Sequence, residues 1–130
     1  MTDLALLIGR VLFGGLFILN GLNHLRNRAA MTGYASYKGL PAPGLAVVGS
    51  GLWMLVCGFS IILGIRPYIG ALMAAVFLLA VTPVMHNYWT IADENQRLGD
   101  FINFQKNVAL LGAALTMLAI PSPWPYSILP

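Results

Sequence analysis

The sequence predicts an all-α fold: an integral membrane four-helix bundle with a short interfacial helix between spans one and two. Three observations carry this. The chain is 58% hydrophobic and only 8% charged, with mean hydropathy +0.79, whereas soluble domains carry roughly 25% charged residues. So little charge cannot give a globule a wettable surface. Four apolar runs approach the 20 or so residues needed to cross the hydrocarbon as helices, and they fill most of the 130 residues. Lipid offers backbone groups no partners, so each run must pair its own N–H and C=O groups, and the runs are too long for barrel strands.

The spans read as residues 4–25, 45–65, 68–89 and 101–120, within a single transmembrane domain over residues 1–130. The third is entered through Pro67, which suits a first helical turn. The fourth is stopped by Pro121 and Pro123. Gly14, Gly15, Gly58, Gly70 with Ala74, and Ala109 with Ala113 supply small residues of the kind that let helices approach closely in lipid. Only Arg66 and Pro67 separate spans two and three, which predicts a tight antiparallel hairpin. The longer loop from Arg26 to Gly44 carries Tyr34, Tyr37 and Lys38 before Gly39-Leu40-Pro41, a helix stop and turn, so a short helix is expected there. Asp93 stands as a cap for the last helix.

The formal charge of +3 is scattered along the chain and fits the flanks of membrane spans better than a nucleic-acid surface. Cys57 stands alone and forms no internal disulfide. Asp3, the lack of a basic leader and Arg10 within the first apolar run argue against a cleaved signal peptide. Four crossings put both termini on one side. Arg26, Arg28, Lys38, Arg97 and Lys106 fall on the other side, against Arg10 and Arg66 with the termini. The bias predicts long loops inside the cell and both termini outside.

The informative residues are polar ones in apolar runs, which are costly in lipid and tend to face the bundle interior. Arg10, Phe13, Phe17, Asn20 and His24 form one helical stripe, flanked by Asn23. Thr82, His86 and Thr90 form a second, beside Asn87 and Trp89. Pro83 frees the carbonyl of Leu79 and predicts a kink. Asn103, Lys106 and Asn107 share a face on the last span. On these bounds no span contains an acid. Arg10 therefore reads as an outer-side polar anchor, its head reaching toward Asp3 and the lipid headgroups. A single His or Lys near a helix end is commonly just interfacial. Three polar faces at the same depth instead predict a shared pocket from Asn20, Asn23, His24, His86, Asn87, Trp89, Lys106 and Asn107.

Histidine exchanges protons near neutral pH, asparagine both donates and accepts, and the aromatic rings offer flat apolar walls. The set suits a planar, lipid-soluble molecule bearing carbonyls, such as a quinone. A haem held by His24 and His86 is disfavoured, because the two histidines are its whole signal. No metal site is expected without a thiolate or intramembrane carboxylate. No nucleophile triad, phosphate loop or nucleotide fingerprint is present, and no catalytic residue is identified.

The chain resembles the DoxX family of small four-helix membrane proteins. The resemblance rests on Arg10 and the Phe-rich run to Gly21-x-Asn23-His24, on Gly39-Leu40-Pro41, and on Gly58-x5-Gly64-x-Arg66. His86-Asn87-x-Trp89 and Phe104-x-Lys106-Asn107-x-Ala109-x-Leu111-Gly112 extend it. It implies four transmembrane helices in a bacterial or archaeal cytoplasmic membrane. Some relatives belong to thiosulfate:quinone oxidoreductases and others associate with redox-stress enzymes. The chain departs from the pattern at Met54, where many relatives carry a glutamate, and at Asn23-His24, where others often have a lysine. Two functions follow as expectations. One is a redox-associated subunit with a quinone-type pocket near the cytoplasmic face. The other is a non-catalytic accessory protein that docks a partner enzyme at the bilayer. A redox enzyme or a second copy of the chain is the expected protein partner, with no nucleic acid.

Overall fold

The structure is a computed structural model that describes all 130 residues. It is an all-α, four-helix bundle with a short fifth helix. α1 spans Thr2–Arg26, α2 Arg28–Tyr37, α3 Pro43–Leu63, α4 Pro67–Met85 and α5 Glu94–Leu118, with a single 3-10 turn at Tyr88–Thr90. α1 and α3 are long and apolar enough to cross a membrane, as is Pro67–Thr90, which joins α4 to the turn; α5 completes the bundle. α2 occupies the long loop and ends where Gly39 takes φ 82°. Pro67 opens α4, and the Asp93 side chain accepts from Gln96 N–H at 2.9 Å to cap α5.

Glycines set the α1–α3 contact. A Cβ on Gly58 would lie 2.7 Å from the Gly14 carbonyl oxygen, and one on Gly21 would lie 2.7 Å from that of Gly51. The two pairs sit seven residues apart on each antiparallel helix, so the backbones touch twice at the same helical phase. α3 turns into α4 through Gly64–Arg66, with Gly64 at φ 66° and Arg66 at φ 46°. α4 then packs on α5. The order is α1–α3–α4–α5, and α1 and α5 barely touch each other. A core including Phe13, Phe17, Met54, Ile61, Leu78 and Trp124 fills the middle.

The termini and the α3–α4 turn share one end of the bundle, the terminal end; α2 and the α4–α5 connection share the other, the loop end. At the terminal end the residues after α5 fold back onto the turn. Leu129 N–H donates to Gly64 O at 3.1 Å, Arg66 N–H to Leu129 O at 2.7 Å and Ile128 N–H to Leu63 O at 3.0 Å. Arg10 does not reach the headgroups. It is fully buried. Its Nε donates to Ile61 O at 2.9 Å, Nη2 to Ile62 O at 3.0 Å, and Nη1 to Pro125 O, with the guanidinium over the Trp124 ring. Ile61 and Ile62 lie in the last turn of α3, whose carbonyls have no partner within the helix. Arginine satisfies them and meets the negative end of the helix dipole.

α4 is shorter than the sequence predicts. It ends at Met85, two residues beyond Pro83, rather than running to Trp89. Tertiary partners take over there. Tyr88 packs edge-on against Phe101 and Phe104 with ring centroids 4.9 and 5.4 Å apart, and the chain bends to dock it. α5 in turn begins seven residues before the span boundary read from hydropathy. Its first two turns are polar and place an acid, Asp100, inside the helix, against the expectation that no span holds one.

Candidate functional site

A cavity of about 350 Å³ lies at the loop end, walled by every helix of the bundle. α1 contributes Asn20 and His24 on the stripe that begins at Arg10. α5 contributes Asn103, Lys106 and Asn107, and the residue after α4 contributes His86. The apolar wall includes Leu16, Phe17, Met54, Phe77, Leu78, Val81 and Leu110, and α2 adds Met31 and Tyr34. The cavity exists because α1 and α5, both packed on the central pair, are not drawn together at this end.

Of the eight residues expected in the pocket, Asn20, His24, His86, Lys106 and Asn107 line the cavity. Asn23, Asn87 and Trp89 do not. Asn23 bonds locally, accepting from the Asn27 amide. Trp89 is 56% exposed and packs against Phe104 at a centroid distance of 5.8 Å. Asn87 faces a different group: its Oδ1 accepts from Lys38 Nζ at 2.8 Å. Along α1, His24 Nδ1 lies 2.8 Å from Asn20 O, and Asn20 Nδ2 donates to Leu16 O at 2.9 Å.

Sequence reasoning missed the polar cluster that closes this end. Lys38, in the residue that caps α2, sits 2.8 Å from Asp100 Oδ2, and His86 Nδ1 lies 3.3 Å from Asp100 Oδ1. Tyr34 donates to Met85 O at 3.4 Å and lies beneath the Lys38 ammonium. One carboxylate thus joins α2, the α4–α5 connection and α5. Burial alone would lower the Lys38 pKa, but its hydrogen bond to Asp100 and the neighbouring Tyr34 outweigh this and hold it above the ordinary lysine value. Burial pushes the Tyr34 phenol up. One signal was available: Asp100, Asn103 and Asn107 share a helical face, so extending that face one turn upstream reaches the acid.

Chemically, the cavity sets amides, two imidazoles and an ammonium against apolar walls. Asp100 is engaged by Lys38 and His86, so Lys106 is the cationic group of the cavity wall without a salt-bridge partner. Such a site can hydrogen-bond carbonyl or anionic oxygens at one side of an apolar molecule.

Residues 5–87 match the DoxX family profile. The inner membrane protein YphA of Escherichia coli (strain K12) is 29% identical over 119 residues, covering 91% of this chain and 83% of the relative. No solved structure matches the chain significantly.

Proposed function

The chain belongs to the DoxX family, and from that premise we propose that it is a redox-associated subunit of the bacterial inner membrane whose cavity binds a quinone-type molecule. The convergence of Asn20, His24, His86, Asn103, Lys106 and Asn107 on one apolar-walled cavity carries this reading. The amides and Lys106 would donate to the ring carbonyls, while Phe17 and Phe77 flank the ring. The inner-membrane location follows the similarity to YphA, and the arginine and lysine bias puts the loop end, with the cavity, toward the cytoplasm.

The test is direct binding of a soluble quinone analogue to purified protein in nanodiscs. His86→Ala with Lys106→Ala weakens binding at least about tenfold, the loss of one to two good polar contacts. Asn103→Ala weakens it as well, whereas Trp89→Ala, outside the cavity, leaves it unchanged. Equal affinity in the wild type and the double variant removes these residues from the site.

A further inference from the structure

A second cavity, of about 410 Å³, adjoins the first. The two share six wall residues, His24, Met31, Tyr34, Phe77, Val81 and Met85, and otherwise differ in chemistry. Beyond the shared wall the first sets Asn20, His86, Asn103, Lys106 and Asn107 against apolar side chains. The second continues with Leu40, Ala46, Val47, Ala80 and Val84, and Ser50 is the single added polar side chain. The Ser50 hydroxyl is already bonded to Val47 O at 3.1 Å, so nothing in that wall asks for a polar ligand group.

The fold explains the pairing. α3 and α4 are pinned together at the terminal end, where a Cβ on Gly70 would lie 2.5 Å from Ser60 Oγ. The second cavity opens between the opposite ends of the same helices, under α2. Met31 and Tyr34 of α2 stand on the boundary between the cavities, and the Lys38–Asp100 pair fastens α2 in that position.

We propose that the two cavities form one site for a two-part molecule, with a planar carbonyl-bearing ring in the polar cavity and its hydrocarbon chain in the apolar one. This rests on the quinone reading and narrows it to quinones that carry a tail. A bare ring would leave the adjoining apolar groove, whose wall includes the exposed Ala80 and Val84, to be covered by separate lipid chains. A chain attached to the ring fills that space, and each methylene brought there from water favours binding by up to roughly fourfold.

The experiment measures binding of two quinones to the full chain in nanodiscs, one without a side chain and one bearing a decyl chain. It is repeated on Ser50→Leu and Ala80→Phe, which fill the second cavity without touching the first. Comparing variant with wild type cancels the chain's own partition into the bilayer. In the wild type the decyl compound binds at least about tenfold tighter. In both variants that advantage shrinks at least about threefold relative to wild type, while affinity for the bare ring is unchanged, which also reports that the variants are folded. Equal affinity of the two quinones for wild type overturns the proposal and leaves the quinone reading standing. So does an advantage that survives both variants, or loss of bare-ring binding in both. Failure of both quinones to bind wild type overturns the quinone reading itself, and this proposal with it.

Discussion

Lys38 Nζ lies 2.8 Å from Asp100 Oδ2, and the two side chains are only 4% and 9% exposed. The pair joins residues 62 positions apart and ties the end of α2 to the second turn of α5. A buried pair is weak support for stability as a whole, since desolvation offsets most of its attraction. Removing one member is costly because the other charge stays buried.

Lys38→Met and Asp100→Leu should therefore each lower stability by about 3–5 kcal/mol, and the double variant should recover most of that loss. Thermal unfolding of the four proteins in detergent forms the cycle. Single variants as stable as wild type would mean that water already solvates the pair.

The same pair sets a pH dependence. Lys38 titrates above its ordinary value, so its contribution is full below the unfolded lysine pKa of about 10.4 and is lost as pH rises through the higher folded value. Tyr34, raised by burial, stays neutral below its own ordinary value. The stability gap between wild type and Lys38→Met should be flat from about pH 7 to about pH 9 and narrow only in stronger alkali. A gap already closing near pH 8 would contradict the ion pair.

Gly58 and Gly15 differ in surroundings, not in chemistry. A Cβ at Gly58 meets the Gly14 carbonyl at 2.7 Å and the Ile18 side chain at 2.5 Å, whereas one at Gly15 meets nothing within 4 Å. Gly58→Ala should destabilise by about 1–3 kcal/mol as α1 and α3 are forced apart. Gly15→Ala should be neutral or stabilising by up to about 1 kcal/mol, from helix propensity alone. Comparable losses in both would show that the helices do not meet at Gly58.

Arg10 holds the C-terminal tail to the α3–α4 turn through the carbonyls of Ile61, Ile62 and Pro125. Arg10→Met leaves carbonyls without partners and should cost at least about 2 kcal/mol. It should also speed carboxypeptidase removal of the tail. Arg10→Lys should restore this only in part, because an ammonium cannot reproduce the planar fork. Unchanged tail protection in Arg10→Met would assign the docking to the Leu129–Gly64 backbone bonds alone.

Much of the architecture was legible in the residues. Hydropathy located the helices, Gly39-Leu40-Pro41 the end of α2, and Asp93 the cap of α5. Helical spacing put Asn20 with His24, and Asn103 with Lys106 and Asn107, on common faces. The boundaries were less legible. α5 runs upstream through a polar segment that hydropathy does not count as span, which hid Asp100. α4 stops early where Tyr88 packs on Phe101 and Phe104 of the neighbouring α5. The partners of Arg10 are backbone carbonyls, which have no letter in the sequence.

The sequence by itself determined that this chain is a set of membrane helices with polar stripes, because helix formation is local: each backbone bond spans four residues, and lipid leaves no alternative. The tertiary structure decided which stripes meet. It separated Asn23, Asn87 and Trp89 from the cavity, brought Lys38 to Asp100, and set an apolar cavity beside the polar one. Those outcomes depend on where glycines let α1 and α3 close and where α1 and α5 stay apart, a balance of packing between segments that no local pattern encodes.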